Sequence, residues 1–286
     1  MVVILFMIDY SDALIIGGNV YGLYAGILLE KNGMDVTILE NDLYNSMMVS
    51  GPLFFHAFSE DVKKPLYERS LSIYNELRKN KKGSFIWPIE LYDKLRKNFN
   101  GKTLNFIKVE SIVKDGKSVK GVRTNKGEIN SKLILVLDGI ITKNLLYMEK
   151  IDIKSIVMEY GNVIAEIDEK FNISMFNEKI VFNDKKFAYF SAPWKNSRVE
   201  FLISLFSEMA KEFPGIEKCL VKRVWKSNHD HFHDSLPRIG NVHFENAYFL
   251  AGYSRYGISF GLELTRLITQ LALGKPTDFD VSKILF

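Results

Sequence analysis

The segment from Asp12 to Glu40 constrains the fold of this chain more than any other part of its sequence. A short apolar run, DALII, ends at a pair of glycines that begins at Gly17, and residues 20–30 (VYGLYAGILLE) then carry apolar side chains at helical spacing. A second apolar run follows at residues 35–39 (DVTIL) and ends at Glu40. This order predicts a strand, a tight turn, a helix and a parallel second strand that are joined by a right-handed crossover.

The turn between the first strand and the helix is similar to a dinucleotide-binding fingerprint. That fingerprint uses one glycine for the tight turn, one for close approach of a pyrophosphate and one for packing of the helix on the strand. Gly17 and Gly22 occupy the first and third positions, and Asn19 replaces the second. Glu40 stands where an acid that binds a ribose hydroxyl belongs. The alternatives are a glycine-rich turn without a ligand and a solvated charge at a strand end.

The rest of the chain continues as strands and helices without an internal repeat or a low-complexity linker. A change to short alternating segments with many aromatic residues predicts an antiparallel sheet over 151–224. The other predicted elements are helices at 64–79, 88–99, 200–213 and 258–273, a hairpin around 115–116 within 103–124, and buried strands at 132–137 and 247–251.

Composition excludes several classes of protein. Hydrophobic residues make up 47% of the chain and charged residues 25%, which is typical of a folded globular protein. A net charge of +4 without a long basic block gives no reason to expect nucleic acid as a partner. The single cysteine cannot form an intramolecular disulfide. The apolar start MVVILFM is too short to span a bilayer and lacks a positive leader, so we expect no integral membrane segment and a cytoplasmic location.

Two stretches at opposite ends of the chain resemble the D-amino-acid oxidase and glycine oxidase superfamily of FAD-dependent amine oxidoreductases. They are DALIIGGNVYGLYAGILLEKNGMDVTILEND at 12–42 and DSLPRIGNVHFENAYFLAGYSRYGISFGLELTRLITQLALG at 234–274, with weaker similarity at 113–139. The resemblance implies an α/β fold with a doubly wound, Rossmann-type FAD-binding domain assembled from discontinuous segments and a substrate domain built on an antiparallel sheet. The implied FAD-binding domain comprises 1–82, 100–150 and 234–286, and the substrate domain comprises 83–99 and 151–233.

The resemblance also implies which residues hold FAD, without a covalent bond. The pyrophosphate would lie at the start of the first helix, the adenosine ribose at Glu40, and the flavin along the loop after the strand at 247–251. The implied cofactor-binding residues are Gly17, Gly18, Asn19, Val20, Tyr21, Gly22, Glu40, Asn41, Ser46, Ser50, Gly51, Val109, Gly139, Gly252, Ser254, Gly257 and Ile258.

Four residues are candidates for the substrate side of the site. The resemblance places Arg255 where a guanidinium pairs with the substrate carboxylate through a two-pronged hydrogen bond, and a surface ion pair is the alternative. Tyr253 and Tyr256 would supply aromatic walls or a second hydrogen bond, with plain packing as the alternative. His56 would lie near the flavin, although packing is favoured for it.

An alternating triplet of histidines precedes the second cofactor segment. In an extended strand His229, His231 and His233 would share one face, and such a face can hold a divalent metal ion. No second cluster of ligands accompanies the triplet in the sequence. We therefore favour a polar loop near the mouth of the site and expect no metal.

The reaction that the resemblance implies is oxidation of the C–N bond of an amino acid or related amine by hydride transfer to flavin. Two alternatives stay open. The chain is shorter than most family members between His56 and Trp87, so a partner subunit would complete the site if the chain is the FAD-binding subunit of a multi-subunit amino-acid dehydrogenase. Asn19 and the short middle also fit a degenerate member that has lost catalysis.

Overall fold

The computed structural model of the chain describes residues 10–41, 53–54, 62–77, 85–86, 88–167, 180–184, 187–254 and 257–286. Its strands are β1 (Ser11–Ile16), β2 (Val36–Glu40), β3 (Leu53–Phe54), β4 (Phe85–Ile86), β5 (Lys102–Asn105), β6 (Val109–Asp115), β7 (Ser118–Thr124), β8 (Gly127–Val136), β9 (Ile156–Glu166), β10 (Ile180–Asp184), β11 (Phe187–Pro193), β12 (Leu220–His231), β13 (Arg238–Gly240) and β14 (Ala247–Ala251). Its α-helices are α1 (Val20–Glu30), α2 (Lys63–Leu77), α3 (Pro88–Asn98), α4 (Gly139–Met148), α5 (Arg198–Glu212) and α6 (Gly257–Ala272). Within these ranges no helix is both long enough and apolar enough to cross a membrane.

The first domain is built on a large sheet with the strand order β13-β14-β8-β1-β2-β5. β1 pairs in parallel with β2 on one side and with β8 on the other, which confirms the parallel unit predicted from 12–40. Successive side chains of β1 lie alternately in two separate hydrophobic cores. Ala13 and Ile15 face a core shared with α1, α2, α3 and α6, whereas Leu14 and Ile16 face a core shared with β6, β7 and α4. Since β1 is covered on both faces from Ala13 onward, residues 13–16 are all apolar.

The second domain is an antiparallel sheet with the order β10-β11-β9-β12. Helix α5 covers one face, where Phe201 and Met209 pack among residues that include Val163 and Phe190. Gly161 makes room for this helix, because a Cβ there would lie 2.4 Å from the Phe201 ring. The parallel and antiparallel sheets together confirm the predicted fold class.

Two elements differ from the prediction in length. β8 begins at Gly127, not at 132, because its first half pairs antiparallel with β7 before its second half joins β1. β12 continues to His231, well past the predicted end of the antiparallel region at 224. Both extensions are rich in polar side chains, so a search for apolar runs does not detect them.

Helix α3 packs against α1, on the core of the large sheet. The sequence assigns 83–99 to the substrate domain, but Leu91, Leu95 and Phe99 lie in the core shared with α1. The Phe99 ring reaches α1 at Gly26, where a Cβ would lie 2.7 Å from Cε2. An amphipathic stripe predicts that a helix packs but not against which partner, so the contact of 88–99 with α1 could not be predicted from that segment alone.

Candidate functional site

The turn between β1 and α1 depends on its three glycines. Gly17 has φ +111°, a backbone angle that residues with a side chain rarely adopt. A Cβ on Gly22 would lie 1.9 Å from the carbonyl oxygen of Gly17, so α1 approaches the strand as closely as its backbone allows. A Cβ on Gly18 would lie 2.9 Å from the Cβ of Glu40. The turn therefore packs tightly on one side against β1 and on the other against the end of β2.

Glu40 is the last residue of β2 and is 8% exposed. Its carboxylate lies over Gly18, since a Cβ on that glycine would be 3.0 Å from Oε2. An acid in this position reaches the glycine turn through the strand order alone, because β2 ends beside β1 at the same edge of the sheet. The structure thus brings together Gly17, Gly18, Gly22 and Glu40, with Asn41 next in the chain.

Asn19 caps the N-terminus of α1 with its own side chain. Its Oδ1 accepts hydrogen bonds from the backbone N–H groups of Tyr21 at 2.9 Å and Gly22 at 3.0 Å. Its Nδ2 donates to the carbonyl oxygen of Leu137 at 3.1 Å, which ties the cap to the end of β8. An anion bound at this helix start would use the same amides that Asn19 already occupies.

Tyr253 contacts the same carbonyl. Its hydroxyl donates to the Leu137 oxygen at 3.3 Å, and its ring stacks on that of Tyr21 with centroids 4.9 Å apart. The Tyr21 ring in turn lies over Gly261 of α6, where a Cβ would be 2.0 Å from it. Burial raises the pKa of both tyrosines well above the usual value, so both phenols keep their protons. These contacts join α1, α6 and the loop after β14.

Two acids, one buried and one partly buried, lie where β8 and β12 reach the loop after β14. Asp138 caps α4 by accepting a hydrogen bond from the N–H of Ile141 at 3.0 Å. Asp230, 3% exposed, accepts one from the N–H of Gly252. Burial raises the pKa of Asp138, and burial together with the neighbouring Asp138 raises the pKa of Asp230 to about 6, although the Gly252 amide opposes this shift.

A polar row crosses the antiparallel sheet on the face opposite α5. Tyr189 donates to Asn162 Oδ1 at 2.6 Å, and Asn162 Nδ2 donates to Ser227 Oγ at 2.8 Å. Ser227 Oγ is in turn 2.8 Å from His229 Nε2. We call these four residues the sheet network. Asn162 is 1% exposed and Ser227 5%, so the centre of the row is buried although α5 packs on the other face, and His229 at its end is partly exposed.

The sheet network is a feature that the sequence reasoning missed. The sequence does contain a pattern that could have indicated it, namely polar residues at every second position of two neighbouring strands. These residues are Tyr160 and Asn162 on β9 and Ser227 and His229 on β12. Trp225 lies opposite Asn162 in the register, and its buried indole N–H has no hydrogen-bond partner among the residues that the structure describes. A buried donor of this kind suits a ligand that carries an acceptor.

The three histidines of the triplet do not lie on one strand. His229 and His231 lie on β12 two residues apart, whereas His233 follows the strand in a turn. No group of three or more His, Cys, Asp or Glu side chains in the described ranges is placed to hold a metal ion.

Several candidates lie outside the described residues, namely Ser46, Ser50, Gly51, His56, Arg255 and Tyr256, together with the side chain of Ile258. The described candidates on the loop are Gly252 with φ +74°, Ser254 with φ +47° and Gly257 at the start of α6. Elsewhere Val109 begins β6 and Gly139 begins α4.

Comparison with known proteins finds likeness in structure alone. Neither a family model nor a curated protein matches the sequence. L-proline dehydrogenase from P. horikoshii superposes with a TM-score of 0.82 at 17% identity over 96% of each chain. Glycine oxidase from Geobacillus kaustophilus has a TM-score of 0.81 at 14% identity, over 96% of this chain and 98% of that one. Iminodiacetate oxidase from Chelativorans sp. has a TM-score of 0.79 at 12% identity, with the same coverage. The likeness extends over both sheets.

Proposed function

We propose that this chain, whose fold is that of the D-amino-acid oxidase and glycine oxidase superfamily, is an FAD-dependent oxidoreductase that oxidises the C–N bond of an amino acid or related small amine. The observation that carries the proposal is the glycine turn with Glu40 beside it, at the sheet edge where Rossmann-type domains bind dinucleotides. Structures of the same fold include a proline dehydrogenase, a glycine oxidase and an iminodiacetate oxidase, all named for amino or imino acid substrates.

The described residues fit a dinucleotide with one departure. Gly22 lets α1 start directly against Gly17, Gly18 lets Glu40 lie beside the turn, and Glu40 would accept hydrogen bonds from ribose hydroxyls. Asn19 is the departure, because its side chain and a diphosphate compete for the amides of the first helical turn. We expect the cofactor to displace this cap, since the dipole at a helix N-terminus favours an anion over a neutral amide.

The chain's own residues would bind and orient the substrate, and a bound flavin would supply the hydride acceptor. Arg255 would pair with a substrate carboxylate, one residue beyond the described part of the loop. The sheet network would form a polar wall, with the Trp225 N–H as a further donor. A wall of this kind offers hydrogen bonds to a small polar substrate.

The direct test is whether the purified chain binds FAD. We expect an absorbance band near about 450 nm that denaturation releases into the supernatant as FAD. The same preparation should reduce a dye when supplied with a panel of amino and imino acids. A chain that stays colourless and shows no thermal shift with added FAD would contradict the proposal and favour the degenerate alternative. Flavin without turnover, together with a co-purifying chain, would favour the multi-subunit alternative.

A second prediction concerns the cap on α1. Replacing Asn19 with glycine frees the amides of Tyr21 and Gly22, so FAD should bind about fivefold more tightly. Replacing it with aspartate keeps a capping oxygen but places a negative charge beside the diphosphate, so FAD should bind at least about tenfold more weakly. Titration followed by flavin fluorescence measures both effects. Asn98→Gly, at the exposed end of α3, is the control. Equal affinity in all three variants would show that the diphosphate lies elsewhere.

A further inference from the structure

Asp230 links the antiparallel sheet to the loop after β14 in two ways. Its carboxylate accepts a hydrogen bond from the N–H of Gly252, and its backbone carbonyl accepts one from the N–H of Ser254 at 2.8 Å. Gly252 and Ser254 both have positive φ values, +74° and +47°. The two bonds therefore attach the part of the loop whose backbone is most unusual.

The carboxylate of Asp230 is enclosed by two glycines. A Cβ on Gly139 would lie 2.2 Å from its Oδ1, so the carboxylate rests directly on the first residue of α4. A Cβ on Gly252 would lie 2.4 Å from the ring of Phe232, which follows β12. Larger residues at either position would push the strand and the loop apart. The contact thus depends on close approach of three segments that are distant in sequence.

The charged and titratable groups around Asp230 come from each neighbouring segment. Asp138, which caps α4, and Lys143 within α4 have opposite effects on its ionisation, and Tyr253 faces it from the loop. His229 and His231 flank it on its own strand. With a pKa of about 6, the buried carboxyl changes its charge within the range in which an enzyme is assayed.

We propose that Asp230 is a positioning residue that holds residues 252–254 in place, one residue ahead of Arg255, and that it does so best when its carboxyl is ionised. An amide N–H donates a stronger hydrogen bond to an ionised carboxylate than to a neutral carboxylic acid. Protonation loosens the start of the loop and weakens the hold on a substrate carboxylate. The substrate part of this inference rests on the proposed function, and the loop part does not.

Ionisation of Asp230 is expected to lower the stability of the protein while it improves the hold on the loop. The pKa of Asp230 is raised on folding, so its contribution to stability is fully present below the unfolded value and is lost as pH rises through about 6. The ionised form that holds the loop is therefore the form that destabilises the protein. A residue with a purely structural role would not show this opposition.

The test compares Asp230→Asn and Asp230→Ala with the parent between pH 5 and pH 8. In Asp230→Asn we expect kcat/KM for amino acids at pH 8 to fall about tenfold through KM, while kcat and flavin content stay within about twofold. The melting temperature at pH 8 should not fall, because a buried charge has been removed. In the parent, kcat/KM should drop as pH falls through about 6, and in Asp230→Asn this step should vanish. Asp234→Asn, four residues on and partly exposed, is the matched control and should keep the step.

Hydrogen exchange separates this inference from the proposed function. Peptides that cover 250–254 should exchange faster in Asp230→Ala than in the parent, whether or not flavin is bound. Unchanged exchange would overturn the inference even in an active enzyme. Faster exchange with an unchanged KM would overturn the link to the substrate, and a colourless, inactive parent would overturn that link together with the proposed function. If kcat/KM of Asp230→Asn still drops as pH falls through about 6, the drop is caused by the titration of another group.

Discussion

Replacing Gly22 with alanine is expected to destabilise the chain by about 3 kcal/mol or more and to abolish cofactor binding. The added Cβ would lie 1.9 Å from the carbonyl oxygen of Gly17 and 3.4 Å from Ile15 Cγ2. The nearer obstacle is backbone, so it cannot rotate out of the way, and α1 would have to move off β1. Urea unfolding of the cofactor-free protein measures the loss of stability, and flavin fluorescence measures the loss of binding.

Gly26→Ala is the matched control, one turn further along α1. Its Cβ would meet the edge of the Phe99 ring at 2.7 Å, and a side chain can shift where a carbonyl cannot. Alanine also raises helix propensity by about 1 kcal/mol at both positions. We therefore expect Gly26→Ala to change the free energy of unfolding by no more than about 1 kcal/mol. Equal losses in the two variants would show that the turn is not specially constrained.

The first unit of the fold could be predicted from sequence because its signals are local. The apolar run of β1, the glycine pair and the helical spacing of 20–30 lie within thirty residues. The observed α1 begins and ends at Val20 and Glu30, as expected. Parallel pairing of β1 with β2 then follows from the right-handed crossover.

Contacts between distant segments could not be predicted in this way. The sheet network joins Asn162 to Ser227 across 65 residues, and each polar side chain alone resembles a solvent-facing strand residue. The contact of Asp230 with Gly139 and Gly252 joins three elements in the same manner. Sequence spacing gives the face of a strand, whereas burial depends on what the fold places over that face.

The sequence identifies Asn19 as a departure from the fingerprint, but it does not reveal the hydrogen bonds that this side chain makes. The sequence marks Asn19 as the residue that replaces a glycine, and steric crowding of a phosphate is the consequence that the fingerprint implies. The structure adds that the amide oxygen accepts from two helix donors and the amide nitrogen donates to Leu137. Competition for hydrogen bonds is therefore a second consequence of the same substitution.

Arg255→Ala is expected to raise the KM for amino acids by about 100-fold while leaving flavin content nearly unchanged. A substrate carboxylate would lose its partner in a partly desolvated site, where removal of one member of a charge pair costs about 2 to 5 kcal/mol. Arg255→Lys should recover only part of this loss, because an ammonium offers a point charge where a guanidinium offers a planar fork. Steady-state kinetics with a dye as electron acceptor, on protein of known flavin content, provides the measurement.

Uncharged amines supply the contrast that identifies the role of Arg255. An amine without a carboxylate never uses the guanidinium, so its KM should change by less than about threefold in Arg255→Ala. Arg238→Ala is the companion variant, since Arg238 pairs with Asp234 beside the same loop and its loss should affect amines and amino acids alike. If Arg255→Ala weakens both substrate classes equally, or loses flavin together with activity, then Arg255 maintains the loop and the carboxylate binds to another group.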